Sequence, residues 1–354
     1  MSQPPKPALN SRGAPINPPN RFQAQRLETD PDGDPDEAQI SSPKTQFFTD
    51  TSKSIISTFD SPDLPVGRSV NPYQGCEHGC VYCYARNTHE YLGFSAGIDF
   101  EQKIMVKPTA PELLEKRFRQ RGYQPSPIEL SGNTDCYQPA ERQFRLTRRL
   151  LQVFQKYGHP VGLITKNSLI LRDLDILKEL AAQNLVHVYL TLTTLNERLR
   201  RVLEPRTSTV ERRLETILKL TDAGVPVGVM TAPIIPGLTD YEIPKLVGEA
   251  ARHGALSAGY TVVRLNGAIG PIFETWIRRY IPDRADKVLA QIRDCHGGEL
   301  NDSRFGVRMY GEGPIAEQIR QMHQMARRKY LTGREMPAFD LTKFRREPEQ
   351  LTLF

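Results

Sequence analysis

Three cysteines, Cys76, Cys80 and Cys83, fall within the segment NPYQGCEHGCVYCYAR (71–86) with the spacing C-x₃-C-x₂-C. Thiolates this close together on one loop can wrap a single metal centre. A zinc ion completed by His78 or His89 as a Cys₃His site is one reading. The spacing argues for a larger object. Zinc sites favour paired cysteines separated by a longer connection, whereas these three are crowded, and Gly75 and Gly79 let the backbone turn tightly around something bigger than one ion. A [4Fe–4S] cluster usually takes four cysteines, so three with no obvious fourth leave one iron open to a small molecule. An open iron implies chemistry rather than electron storage. The other two cysteines, Cys136 and Cys295, stand apart, and this distribution is not the scattered pairing of a disulfide-stapled secreted domain.

From Val66 onward, short apolar runs alternate with longer helical patterns, which predicts βαβ units, a parallel sheet and the α/β class. The expected strands are 67–73, 128–132, 161–166, 186–194, 225–235 and 258–265. Helical patterns lie near 110–121, 140–156, 170–183, 209–223 and 240–253. Gly224 and Pro226 stop one helix and launch the next strand. After the sixth strand come the segment PIFETWIRRYIP (271–282), a helical stretch at 284–298 and a long helix from about 314 to 331. Periodicity does not report closure, so an open doubly wound sheet and a partial barrel both fit this alternation.

The 354 residues divide by composition into an unstructured leader (1–45), a folded region (46–331) and a tail (332–354). The acidic run DPDGDPDE (30–37) alternates carboxylates as a calcium loop does, but its glycine falls too early for an EF-hand, so it reads as a solvated stretch. The chain lacks an apolar run of about 18 residues and an N-terminal signal pattern, so a cytoplasmic protein with no membrane partner is expected. A formal charge of +6 permits contact with polyanions without demanding it, and the many helical arginines read as solvated faces.

The cysteine spacing after a first predicted strand resembles the radical S-adenosylmethionine (SAM) superfamily. That resemblance implies a partial (β/α)₆ TIM-type barrel with a helical C-terminal extension, a [4Fe–4S] cluster on Cys76, Cys80 and Cys83, and SAM bound at the open iron. It further implies reductive cleavage of SAM to a 5′-deoxyadenosyl radical, and an electron donor such as flavodoxin or ferredoxin. NTDCYQPAE (133–141), LITKNS (163–168), LEPRTS (203–208) and APIIPGLTD (232–240) are similar to the branch that contains spore photoproduct lyases. Each falls at or just beyond the C-terminal end of a predicted strand, where barrel sites gather. Carried over by position, Tyr82 lies against the adenine and Tyr84 borders the substrate. Thr134 and Asp135 receive the methionine amino group, Lys166 reaches the SAM carboxylate, Thr191 and Thr193 stand near the ribose or carboxylate, and Arg206 pairs with a carboxylate. The chain departs from the lyases at Gly132, where they carry the cysteine that ends the repair radical. Cys136 is the alternative hydrogen donor, and Cys295 reads as structural.

The chain ends in Gln350, Leu351, Thr352, Leu353 and Phe354, a Q-L-x-L-F pattern that resembles the peptide docking bacterial repair proteins on the DNA sliding clamp. Together these readings predict a radical SAM enzyme acting on DNA or RNA, in lesion repair or base modification. The alternatives are radical modification of a peptide or small metabolite, and a non-catalytic zinc or iron–sulfur binding module.

Overall fold

The computed structural model describes residues 12–23, 44–64 and 66–346. In chain order the strands are β1 (Gln46–Thr49), β2 (Ile56–Thr58), β3 (Arg68–Val70), β4 (Tyr73–Gln74), β5 (Lys103–Val106), β6 (Ile128–Leu130), β7 (Val161–Thr165), β8 (Val186–Thr191), β9 (Val227–Ile234) and β10 (Ser257–Val262). The six strands expected from the sequence are β3 and β6 to β10. They lie side by side in chain order, each parallel to the next. A doubly wound sheet reverses its strand order midway; this one never does, so the architecture is the incomplete (β/α)₆ barrel. Strand β2 pairs antiparallel with β3 and covers one open edge.

Alternation along the strands separates two environments. Val70, Ile128, Leu130, Val161, Leu163, Val186, Val188, Leu190, Val227 and Val229 are fully buried in one cluster with the helices Ala110–Arg119, Leu146–Tyr157, Leu174–Ala181, Val210–Asp222 and Ile243–Arg252. Each such side chain contributes about 1.5–3 kcal/mol of burial. The intervening residues, among them Ser69, Glu129, Gly162, Tyr189 and Met230, line the inner face of the sheet. Three further helices, Ile269–Tyr280, Pro282–Asp294 and Gly313–Tyr330, form the expected extension. Among the described residues no helix is long and apolar enough to cross a membrane.

The sequence reading missed the small sheet β1–β5–β4, because β1 is only four residues long, all exposed, and carries no alternating pattern. Both terminal expectations also need correction within the described residues. Residues 12–23 are not loose: Asn20 Nδ2 donates to Glu90 O at 2.7 Å and Phe94 O at 2.9 Å, and the Gly13 and Ala14 amides donate to Glu101. Residues 332–346 fold back under the barrel. The Phe339 ring stacks on His187 at 3.9 Å, and Phe344 packs on Phe118, Tyr123 and His159. The acidic run 30–37 and the Gln350–Phe354 peptide lie outside the described residues. Because Phe344 is only half-buried, Phe344→Ala is expected to lower stability by about 2 kcal/mol, less than for a fully buried ring, as read from urea unfolding.

Candidate functional site

The cysteine loop follows β4, and its shape depends on side chains that catch its backbone. Gly75 and Gly79 adopt φ of 80° and 70°, the left-handed region that the tight turn requires. Gln138 takes both sides of the loop, accepting from the Glu77 amide at 2.9 Å and donating to Gly75 O at 3.0 Å. Arg86 is fully buried, donates to Cys80 O at 2.9 Å and pairs with Glu101 at 2.6 Å. Glu101 in turn holds residues 13 and 14 at 2.9 and 2.8 Å, so the N-terminal strap lies on the loop, with no room for a side chain at Gly13 against Gly79 O.

His78, between the first two cysteines, is buried with both ring nitrogens engaged. Nδ1 lies 3.3 Å from Asp135 Oδ2, and Nε2 lies 3.2 Å from Asn167 Nδ2. It is therefore not available to complete a zinc site. His89 is buried between Phe94 and Phe100, and burial lowers its pKa to about 4. Among the described residues no three His, Cys, Asp or Glu side chains are gathered for a single metal ion. Cys76 and Cys80 are buried and Cys83 is partly exposed. Burial raises all three thiols, so each must lose its proton to a metal on binding. Three thiols on one glycine-turned loop, with no fourth side chain supplied, suit an iron–sulfur cluster with one open iron.

Asp135, expected to receive an amino group, is engaged by four protein groups. Its oxygens accept from the Tyr137 amide at 2.9 Å, the Thr165 hydroxyl at 2.8 Å and the Lys166 amide at 2.8 Å, besides facing His78. Burial raises its pKa, but His78 and these amides outweigh that and hold it at about 2. Thr134 is likewise occupied, its hydroxyl donating to Tyr73 O at 2.6 Å. Arg206 pairs with Glu77 of the cysteine loop at 3.3 Å, and so fastens the loop rather than standing free.

A second cluster forms beside the loop. The hydroxyls of Tyr82 and Thr193 both donate to Glu204 Oε1, Thr193 at 2.6 Å, while Arg213 pairs with Glu204 Oε2 at 2.6 Å and donates to Thr191 O at 2.9 Å. Burial raises the Glu204 pKa, but Arg213 and Lys166 pull it down to about 2. The Lys166 ammonium lies 6.0 Å from the Tyr82 ring centroid. Burial opposes its charge, yet Cys80 and Glu204 keep its pKa raised. Among the described residues it has no hydrogen bond or ion pair, which leaves a cation facing the loop for an incoming anion. Tyr84, half exposed, donates its hydroxyl to Gly132 O. Cys136 is fully buried in the main core, so the hydrogen-donor role read from the sequence has no open path there.

Sequence reasoning missed Glu204, Arg213, Gln138 and Glu101, and it read His78 as a candidate zinc ligand where the structure engages it with Asp135 and Asn167. Glu204 and Gln138 sit inside motifs already singled out, but their partners come from distant segments that spacing does not reveal. Because Glu204 and Arg213 are both buried, Arg213→Met leaves an uncompensated carboxylate. Urea unfolding is expected to show a loss of about 3–5 kcal/mol.

An incomplete (β/α)₆ barrel with C-x₃-C-x₂-C on the loop after its first strand defines a class. The family model of the Radical SAM superfamily matches residues 70–250. The chain belongs to that superfamily. It is similar to an uncharacterized protein of Mycobacterium tuberculosis, 32 % identical over 299 residues covering 82 % of this chain and 83 % of that protein. An uncharacterized protein of Methanocaldococcus jannaschii is 29 % identical over 180 residues, 51 % of this chain and 64 % of that one. Spore photoproduct lyase complexed with dinucleoside spore photoproduct shares the fold, with a TM-score of 0.58 at 15 % identity over 81 % of this chain and 80 % of that chain. A variant of that lyase with bound AdoMet and the same dinucleoside gives 0.58 at 16 % identity, over 80 % and 79 %.

Proposed function

We propose that this chain is a radical SAM enzyme that holds a [4Fe–4S] cluster on Cys76, Cys80 and Cys83 and acts on a base of DNA or RNA. The observation that carries the reading is the three-thiol loop set beside the unpaired Lys166 ammonium. When bound, the cluster supplies the electron that splits SAM into methionine and the 5′-deoxyadenosyl radical, which takes a hydrogen atom from the substrate. Lys166 binds the SAM carboxylate, and the Tyr82 ring, fixed by its hydroxyl on Glu204, offers a flat face for the adenine. Asp135 and His78 position the loop. Arg213, through Glu204, keeps Tyr82 and Thr193 in register.

Support for a nucleic-acid substrate comes from the mouth of the barrel. Arg264, just beyond β10, has no hydrogen bond or ion pair among the described residues and lies within electrostatic reach of Tyr84. A half-buried, unpaired guanidinium beside the cofactor loop suits a phosphodiester. The shared fold of a lyase solved with a dinucleoside is consistent with this reading. Gly132 and the buried Cys136 leave the mouth without the thiol expected of a photoproduct lyase, which favours base modification over lesion reversal.

The test is 5′-deoxyadenosine formation by the anaerobically reconstituted, reduced protein, with and without single-stranded DNA or RNA. Product that rises with nucleic acid supports both parts of the reading. Product indifferent to nucleic acid but raised by a peptide or metabolite fraction removes the substrate assignment. Cys80→Ala is expected to lose both cluster absorbance and product. Lys166→Met removes one charge-assisted bond of about 1.5–3 kcal/mol. It is expected to weaken SAM binding about 10- to 100-fold by equilibrium dialysis, with iron content unchanged.

A further inference from the structure

The inner face of the barrel carries a carboxyl that packing does not account for. Ser69, Glu129 and Gly162 stand in register across β3, β6 and β7. Glycine at 162 makes the space, since a Cβ there would fall on Glu129 Oε2. The same device recurs across the sheet, with Gly228 giving way to Tyr189 and Gly259 to Met230. Tyrosine and methionine fill such gaps as bulk. A carboxyl does so at a disadvantage, and Glu129 Oε1 is buried with no hydrogen-bond partner among the described residues.

Its position is informative. A Cβ on Gly132 would lie 3.9 Å from Glu129 Cγ and 3.1 Å from Ser69 Cβ, so Glu129 sits directly beneath the residue on whose carbonyl Tyr84 rests. Tyr84 immediately follows the last loop cysteine, and its ring is half exposed. Burial with no opposing charge raises the Glu129 pKa to about 8. Near neutral pH the group is therefore mostly the carboxylic acid, with one donor and one acceptor side by side. The Watson–Crick edge of each nucleobase offers the complement, a ring nitrogen next to a carbonyl or amino group. Two hydrogen bonds then close without leaving a buried charge.

We propose that Glu129 is a substrate-binding residue that pairs with the Watson–Crick edge of a single unpaired base admitted past Tyr84. This rests on the nucleic-acid reading above and deepens it, because a base in a duplex has that edge occupied and must be single-stranded or extruded. Serine and tyrosine neighbours on the same face, Ser69 and Tyr189, leave no cation to compete for the carboxyl.

The test uses the reconstituted protein with SAM and fluorescently labelled homopolymeric decamers of each base, read by anisotropy. The tightest decamer is compared with its counterpart methylated on the Watson–Crick ring nitrogen, N3 for a pyrimidine or N1 for a purine. Wild type is expected to lose about tenfold or more in affinity on methylation. Glu129→Gln, whose amide keeps a donor beside an acceptor, is expected to retain the discrimination. Glu129→Leu is expected to bind both decamers alike while keeping the cluster absorbance and SAM affinity of wild type. Equal binding of the two decamers by wild type, or undiminished discrimination by Glu129→Leu, overturns the assignment and leaves the nucleic-acid reading standing. Failure of every decamer to bind removes both.

Discussion

A loop with three thiols and little regular secondary structure keeps its shape only through the groups that grip it, and the central grip here is the Asp135 carboxylate. It joins the loop after β6 to the end of β7 through the Thr165 hydroxyl and Lys166 amide, and reaches into the cysteine loop through His78. The same contact turns Lys166 into place, because the backbone amide that Asp135 holds belongs to the residue whose ammonium faces Tyr82. Gln138, on the same connection as Asp135, and Arg206 also grip the loop, as does Glu101 through Arg86. Preorganisation of this kind is what a radical enzyme needs, since its reactive groups must be held in line before the reaction starts.

The electrostatics follow a consistent pattern. Charges that serve position are paired and buried: Glu204 with Arg213, Glu101 with Arg86, Asp135 with its ring and amide donors. Lys166 beside the loop and Arg264 just beyond β10 have no hydrogen bond or ion pair among the described residues. Glu129 stands unpaired beneath them on the inner face. Unpaired polar groups reduce stability, so each of these three positions costs the fold something that packing alone does not offset.

Much of this was legible in the sequence. The six barrel strands and their helices announced themselves because outward faces of Val, Ile and Leu are buried against helices, and Gly and Pro punctuate the connections. The cysteine loop was legible because its ligands are contiguous. Strand order, read from the structure, resolved the choice between doubly wound sheet and barrel that periodicity leaves open. What the sequence concealed were pairings between distant residues. Thr134, Asp135 and Arg206 have the right chemistry to bind SAM, and their contacts with Tyr73, His78 and Glu77 are not visible in the sequence. Residues 12–23 look unstructured because they are polar and proline-rich. Their anchor is Glu101, far along the chain, which spacing does not disclose.

The central claim is that Cys76, Cys80 and Cys83 hold a cluster whose remaining iron is the binding point for SAM. It is tested most directly by electron paramagnetic resonance of the reconstituted, reduced protein before and after adding SAM. The account predicts a reduced [4Fe–4S] signal that changes shape on SAM addition, because a new ligand reaches one iron. A protein that takes up no iron, or a cluster signal that SAM leaves unchanged, would contradict it.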